Sequence, residues 1–344
     1  MHIQQNIPLA PFTTFGIGGP ARWFAQATSE SEVLAAVAFA QQQGVPMFVL
    51  GGGSNLLVPD QGFAGLVLHI ALRGIVEDAP GVFDVAAGED WDGFVRYAVE
   101  RNCAGIECLA GIPGTVGGTP VQNVGAYGQE VAETIVRVRA LDLQTGQFVQ
   151  MSHSDCGFHY RHSIFNSVAR GRYIVTQVRY ALQPGGAPRI VYADLKHHFT
   201  GQQGEPTLQQ VYDAVRSIRH SKGMLIVTGE ADCRSAGSFF KNPIVPVDKA
   251  AEIASTLGIP PNVVPRYPAT EGHVKLPAAW LLEQAGFRKG FELGRAGIST
   301  KHTLALINRG GATASEVMAL RDRIVAEVER RFGIRLQQEP VVLA

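Results

Sequence analysis

What this chain of 344 residues lacks already narrows its class. Thirty basic residues balance thirty acidic ones. No overall field therefore draws it to nucleic acid or to an anionic membrane surface, and any anionic ligand must be recognised locally. No stretch approaches the roughly eighteen consecutive apolar residues of a spanning helix, and the start of the chain has no basic segment followed by an apolar core, so neither a membrane span nor a signal peptide is expected. Cysteine is scarce. Cys103, Cys108, Cys156 and Cys233 have the spacing of neither a zinc ribbon nor a disulfide scaffold, which points to free thiols in a reducing cytoplasm and to no metal site. Hydrophobic residues at 46% against 17% charged describe a soluble globular protein, and the length suits two or three domains.

Three active-site signatures are also missing. The run Gly51-Gly52-Gly53-Ser54-Asn55 follows a strand-like PMFVL, yet Leu56 stands where a dinucleotide fingerprint needs Gly or Ala, and no acidic residue ends a second strand about twenty residues on. No Walker lysine accompanies it. Around Ser238, Gly237 lies directly before and Phe240 two after, so the G-x-S-x-G elbow of a serine hydrolase is absent.

What is present is glycine in unusual company. Residues 111–128 read GIPGTVGGTPVQNVGAYG, with six glycines set among apolar residues and stiffened by Pro113 and Pro120. Backbone without side chains lets successive N–H groups converge on one anion. The alternative is a cluster of tight surface turns. Paired with the loop at 51–55, however, the run suits an extended pyrophosphate held from two sides.

The periodicity around these loops is mixed. Residues 28–44 read as a capped helix closed by Gly44, VFDVAAG as a strand, and residues 92–101 as a second helix. IVRVRALDLQTGQFVQM forms a hairpin and RYIVTQVRYAL a further strand, whereas residues 183–206 read as an irregular, mobile excursion. Capping boxes at Thr207/Gln210 and Thr313/Glu316 open two helices, and Ile334-Arg335-Leu336 reads as a short strand. No internal repeat or low-complexity tract is present.

Three positions carry possible chemistry. Arg161, after Tyr160 in GFHYRHSIFN, either pairs with a surface carboxylate or anchors an anion or ring edge. Ser238, in SAGSFFKNP, has no histidine base in view. As a proton donor it suits only an acceptor as basic as a carbanion or enolate, the species that hydride addition to a conjugated acid produces. Stabilising such a species needs a cation and a carboxyl group, roles open to Arg161 and to Glu339 near the end. Glu339 is otherwise a solvated tail residue.

These runs in their order resemble the UDP-N-acetylenolpyruvoylglucosamine reductase family, flavoenzymes of the second committed step of peptidoglycan precursor synthesis. The resemblance covers nearly the whole chain, through Thr14-Phe15-Gly16-Ile17, GGGSNLL at 51–57, GIPGTVGGTPVQNVGAYGQE at 111–130, YRHSIFN at 160–166, SAGSFFKNP at 235–243, KLPAAWLLEQAGF at 275–287 and Glu339-Pro340. It implies an α+β protein with an FAD-binding domain of the PCMH/vanillyl-alcohol-oxidase type in two α/β subdomains (1–68 with 330–344, and 69–224) and a C-terminal α+β substrate-binding domain (225–329).

By the same resemblance non-covalent FAD lies against Gly51, Gly52, Gly53, Ser54, Asn55, Gly111, Ile112, Gly117, Gly118, Thr119, Asn123, Gly125, Ala126, Tyr127, Gly128 and Arg161. NADPH reduces it and is replaced by UDP-N-acetylglucosamine enolpyruvate, whose C3 receives hydride while Ser238 protonates C2. Arg161 and Glu339 stabilise the charge developing on the substrate carboxylate. The resemblance further assigns Tyr160, Tyr192, Arg219, Lys222, Asn242, Lys275 and His302 to substrate. Tyr192, in IVYADLKHH, matches the tyrosine that closes over the diphosphate in the family's longer subgroup. A cytoplasmic monomer without nucleic-acid or membrane partners is expected. Two departures stand out: His162 follows the Tyr-Arg pair where an acidic residue is common, and the tail after Glu339 lacks a basic residue. An FAD-dependent alcohol or sugar oxidase of the same superfamily is the alternative, although residues 51–55 offer no histidine for covalent flavin. A catalytically silent sugar-nucleotide binder is a third.

Overall fold

Ser29 shows how local chemistry starts the fold. Its side chain accepts from the Glu32 N–H and opens α1 (Glu30–Gln43), which ends where Gly44 turns left-handed at φ 60°. The buried residues Val33, Ala36 and Ala40 give α1 one apolar face. In the computed structural model, whose described residues are 1–343, the chain divides into two units. The first comprises Met1–Ile7, Pro20–Gly53 and Phe63–Ser221, and the second Pro8–Gly19, Ser54–Gly62 and Lys222 onward.

Two sheets build the first unit. Strands Pro20–Ala27 and Met47–Leu50, joined through α1, both lie parallel to Phe63–Ile70 between them. Those strands are nearly continuous in apolar residues, as expected of parallel strands buried on both faces. The second sheet is antiparallel, in the order Gln147–Ser152, Ile135–Asp142, Tyr173–Ala181, Val82–Ala86, Ile75–Ala79. It contains the hairpin expected at Thr145-Gly146. Against it packs α2 (Trp91–Glu100), capped by Asp90, with Phe94 5.0 Å from the Tyr180 ring and 5.8 Å from Phe83.

The excursion at 183–206 is more ordered than its composition suggests. Gln183–Pro184 pairs with Cys103–Ala104, and Ala193–His198 forms a short helix, α3. Leu195 supplies the reason, because its fully buried side chain anchors the turn against the core whatever the polar residues around it prefer. The following α4 (Leu208–Ser221) opens with the Thr207/Gln210 capping box and buries Leu208, Val211, Tyr212 and Val215.

The second unit has its own core, with Phe15, Leu57, Phe239, Leu281, Leu306 and Leu320 all fully or almost fully buried. Three helices enclose it: α5 (Asp248–Leu257), α6 (Ala278–Gln284) and α7 (Ala314–Phe332). The Thr313/Glu316 capping box opens α7, and Asp60 accepts from the Ala314 and Ser315 N–H groups at 2.6 and 3.0 Å. Burial alone would raise the Asp60 carboxyl, but the Ser315 hydroxyl and these helix-terminal N–H groups outweigh it and hold the group below the usual carboxylate range. Thus residues 54–62 are tied to the C-terminal segment, and Leu56–Leu57 runs parallel to Val341–Val342. Grouping by contact cuts the chain differently from the linear boundaries expected at 68/69 and at 330, because strand pairing ignores sequence distance. Nor does Ile334–Leu336 form a strand. Ile334 and Leu336 are buried as their alternation implies, but the one bridge falls later, between Gln338 and Phe240. The helix and sheet content places the chain in the α+β class, as expected.

Candidate active site

In the first unit the two glycine-rich loops touch through bare backbone. A Cβ on Gly52 would stand 2.5 Å from the Gly114 Cα, so the 51–53 turn and the 111–118 loop approach only because neither has a side chain there. Gly117 N–H bonds to Ala87 O at 2.8 Å and Val116 N–H to Glu89 O at 2.9 Å, fixing the loop to the second sheet. Gly118 is different: a Cβ on it would meet nothing within 4 Å. The cradle is thus rigid where it touches protein and open above Gly118. The N–H groups of Gly111, Val116, Gly117, Gly118 and Thr119 all bond within the protein, so an extended, phosphate-bearing cofactor fits this stretch through the room above its bare backbone. The Thr119 hydroxyl is buried against the Tyr180 hydroxyl at 2.7 Å.

The other end of the loop is held by Arg161. Its guanidinium donates to Gly125 O at 2.7 Å and Asn123 O at 3.4 Å and lies 5.3 Å from the Tyr160 ring centre. Three non-glycine residues here, Asn123, Tyr127 and Arg161, take left-handed backbone with φ of 45°, 48° and 53°. Such conformations cost energy and persist where surrounding contacts over-determine them. At Asn123 those contacts are explicit. Its amide donates to Glu130 and to His159 O, and its carbonyl accepts from Ala132 N–H. Arg161 thus bonds backbone carbonyls of the loop itself.

Gly111, the first residue of that loop, is gripped from both sides. Asp92 on α2 accepts its N–H at 2.6 Å, and Arg219 on α4 donates to its C=O at 3.0 Å. Arg216 and Tyr212 also bond Asp92. Burial pulls the Arg219 guanidinium below its ordinary range, opposed by Tyr127 and Asp92. The Tyr192 ring, 45% exposed, meets Tyr127 edge to face at 5.4 Å. Ile112 and Ala126 lie half-buried along the same loop.

In the second unit a short antiparallel pairing joins residues a hundred positions apart. Glu339 N–H donates to Phe239 O at 2.9 Å, Lys241 N–H to Gln337 O at 2.9 Å, and Phe240 bridges Gln338. Ser238 and Glu339, both half-buried, therefore occupy neighbouring positions. Phe239 N–H also bonds Leu304 O at 2.8 Å, and the Phe239 and Phe240 rings are buried, so the Ser238 backbone is held on both sides. Asn55 joins the same group: its C=O accepts from Val341 N–H at 3.0 Å and its amide reaches Glu339 O at 3.5 Å. Ser54 precedes it in this unit.

Lys222 and Lys289 lie near enough to His302 for their charges to act on it. Burial, with Lys222 and Lys289 adding to it, lowers His302 to about 4, so its imidazole is neutral at pH 7. Leu304 N–H donates to His302 Nδ1 at 3.1 Å, which leaves the proton on Nε2 and makes this histidine an uncharged donor. The Asn242 side-chain carbonyl accepts from Ala278 N–H at the start of α6 (2.9 Å). Lys275 ends the strand His273–Lys275, paired to Ile244 and Tyr267.

Sequence reading passed over several of these groups. Lys289 sits in an ordinary Arg-Lys-Gly turn, and Asp92 looks like any first-turn acid. Glu107, a lone acid in the apolar run IECLA, is fully buried, and that isolation was the available signal. Among the described residues no cluster of His, Cys, Asp or Glu could hold a metal ion, and no helix is long and apolar enough to cross a membrane. All four cysteines are buried and unpaired, with burial pushing the Cys156 thiol up to about 12.

Known proteins match both parts of the chain. Residues 21–152 match the family model of an FAD binding domain, and residues 229–343 that of the UDP-N-acetylenolpyruvoylglucosamine reductase C-terminal domain. The UDP-N-acetylenolpyruvoylglucosamine reductase of Thermobifida fusca (strain YX) is 46% identical over 98% of this chain and 97% of its own. That of Pseudomonas fluorescens is 40% identical over 99% and 98%. The crystal structure of a UDP-N-acetylenolpyruvylglucosamine reductase from Thermus caldophilus superposes with a TM-score of 0.69 at 26% identity, covering 100% of both chains.

Proposed function

The chain belongs to the UDP-N-acetylenolpyruvoylglucosamine reductase family, and on that premise we infer that it reduces UDP-N-acetylglucosamine enolpyruvate to UDP-N-acetylmuramate with NADPH, a step of peptidoglycan precursor synthesis. FAD held along the two glycine-rich loops would supply the hydride that reaches substrate C3. Addition there leaves an electron pair at C2, delocalised into the carboxylate as an enolate. The Ser238 O–H bond then breaks, its proton going to C2, and the serine recovers a proton from solvent. Only an acceptor this basic makes a serine hydroxyl a useful acid. Arg161 and Glu339 offset the charge that gathers on the substrate carboxylate, Arg161 as a fixed cation and Glu339 by donating a hydrogen bond when it carries a proton.

Tyr160 lies beside Arg161 and shapes the approach of the acid. Lys222, Arg219, Asn242, Lys275, His302 and Tyr192 bind the nucleotide end, Tyr192 by closing over the diphosphate. At neutral pH His302 contributes an N–H without charge. The observation that supports this reading most is the backbone pairing of Phe239 with Glu339, which brings together the two short segments that carry Ser238 and the Glu339 carboxyl. Protonation of an enolate calls for a proton donor, and the charge on the substrate acid for a carboxyl able to carry a proton.

Anaerobic addition of NADPH to the purified yellow protein tests it. The flavin band should bleach and return only when the enolpyruvyl sugar nucleotide is added. Colour that fails to return, or flavin that stays with acid-precipitated protein as in a covalent oxidase, would overturn the reading.

A further inference from the structure

Glu107 is fully buried, yet the reaction above gives it no part. Its carboxyl oxygens accept from three N–H donors, Gly105 N–H at 2.8 Å, the Gln129 side-chain amide at 2.8 Å and Arg189 N–H at 2.9 Å, with the Cys108 Sγ a weaker fourth at 4.0 Å. Each donor comes from a different segment. Gly105 precedes Glu107 in its own turn, Gln129 ends the glycine-rich loop, and Arg189 lies at the root of the segment carrying Tyr192. The neighbouring Cys108 repeats the pattern, its N–H donating to the Gln129 carbonyl at 2.8 Å and its Sγ donating to Arg189 O at 3.1 Å. Arg189 is thus held at both its N–H and its C=O, while its side chain pairs with Glu133 at 2.5 Å.

Two residues on, the clamped backbone meets the loop. Val191 Cγ2 lies 2.5 Å from where a Gly128 Cβ would stand, and Tyr192 rests on Tyr127. The excursion therefore does not swing freely from residue 183. It is fixed through Arg189 and Val191, and Tyr192 emerges directly from that anchor.

We propose that Glu107 is a positioning residue for sugar-nucleotide binding: a buried acceptor that locks the root of the Tyr192 segment to the end of the glycine-rich loop and so sets where the tyrosine closes. The proposal rests on the reading of Tyr192 as the residue that covers the diphosphate. A buried carboxyl with three donors tolerates no loss of an acceptor, because each N–H left unpaired keeps its full desolvation cost. Gln129 couples the two halves, since its amide NH₂ serves Glu107 while its carbonyl serves Cys108.

Glu107→Gln keeps the size of the side chain and turns one acceptor into a donor facing an N–H. In the flavin-loaded variant, reduction of the flavin by NADPH should keep its rate. KM for the enolpyruvyl sugar nucleotide should rise about tenfold with kcat nearly unchanged, the size expected from one unmade buried hydrogen bond. Substrate should also protect residues 193–206 from protease less well than in the parent. Combined with Tyr192→Ala, Glu107→Gln should add nothing further to KM. If the two effects multiply instead, Glu107 does not act through Tyr192 and the proposal fails. If Tyr192→Ala alone leaves KM untouched, the assignment of Tyr192 fails and the proposal falls with it. Should Glu107→Gln not accumulate as holoenzyme, Arg189→Pro removes the N–H while leaving the carboxyl in place. The same selective rise in KM is expected, and its absence overturns the clamp.

Discussion

The candidate groups in the two units are made of different material. In the first unit the cradle is backbone: loops 51–53 and 111–118 meet where a side chain at Gly52 would collide at 2.5 Å, and Arg161 donates to the carbonyls of Asn123 and Gly125. In the second unit the working groups are side chains, with Ser238, Glu339, Asn242 and His302 each set by one or two hydrogen bonds to neighbouring backbone. The difference teaches what each half tolerates. A backbone cradle fails when volume is added, and a side-chain site when an atom is removed.

Removing the Ser238 hydroxyl is the sharpest way to separate them. Ser238→Ala should bind flavin and accept electrons from NADPH normally, while the substrate-reducing half-reaction slows by about 10²–10⁴, the usual worth of a positioned acid. Stopped-flow measurement of both half-reactions checks this, and equal loss in both would erase the distinction. Adding one methyl group tests the other half. Gly52→Ala should cost about 1–3 kcal/mol through a backbone clash that no rotamer relieves, and flavin content should fall, read as the 450-nm band (about) per protein after desalting. A variant that keeps full flavin would show that the cradle is softer than its contacts imply.

A pH experiment sharpens the contrast within the second unit. His302 is held near 4 in the fold against 6.5 in an unfolded chain, so the unfolded chain takes the proton first as pH falls. Stability contributed by the neutral ring is complete above 6.5 and drains away between 6.5 and 4, by up to about 3 kcal/mol. Denaturant melts of parent and His302→Gln across that window isolate it from the carboxylates that titrate alongside, and the parent should lose stability relative to the variant on the acid side. The smallest effect is expected far from either half. Glu30 accepts a bidentate bond from Arg139 at 2.8 and 2.9 Å, which lowers its carboxyl below the usual range against the effect of burial, with Thr176 assisting. Its contribution is present above the ordinary carboxylate range and lost as pH falls through the lowered value, so Glu30→Gln should cost under about 1 kcal/mol at pH 7. Thermal melts at pH 7 and at pH 4 should show that difference shrinking.

Much of this was legible before any coordinates. Helix starts were, because a capping box such as Thr313 with Glu316 is complete within four residues and needs no distant partner. The glycine-rich loops were legible as bare backbone for the same reason, although not which glycine is packed and which is open: Gly52 backs onto Gly114, whereas Gly118 faces open space. Residues 193–198 were misread because one buried Leu195 outweighs a polar neighbourhood. The Asn242 carbonyl at α6 and the Thr119 hydroxyl at Tyr180 were invisible, since each pairs with a residue 36 or 61 positions away.

The amino-acid sequence alone determined the parts that are local: where helices begin, where the backbone goes bare, and which residue types are available for proton transfer and charge. Tertiary structure alone decided that Ser238 and Glu339 stand together, and that Glu107 holds Gln129 and Arg189 at once. The reason is physical. A cap or a glycine turn satisfies its own hydrogen bonds within a few residues, but a buried carboxyl or a bridging strand is satisfied only by partners that folding brings from elsewhere.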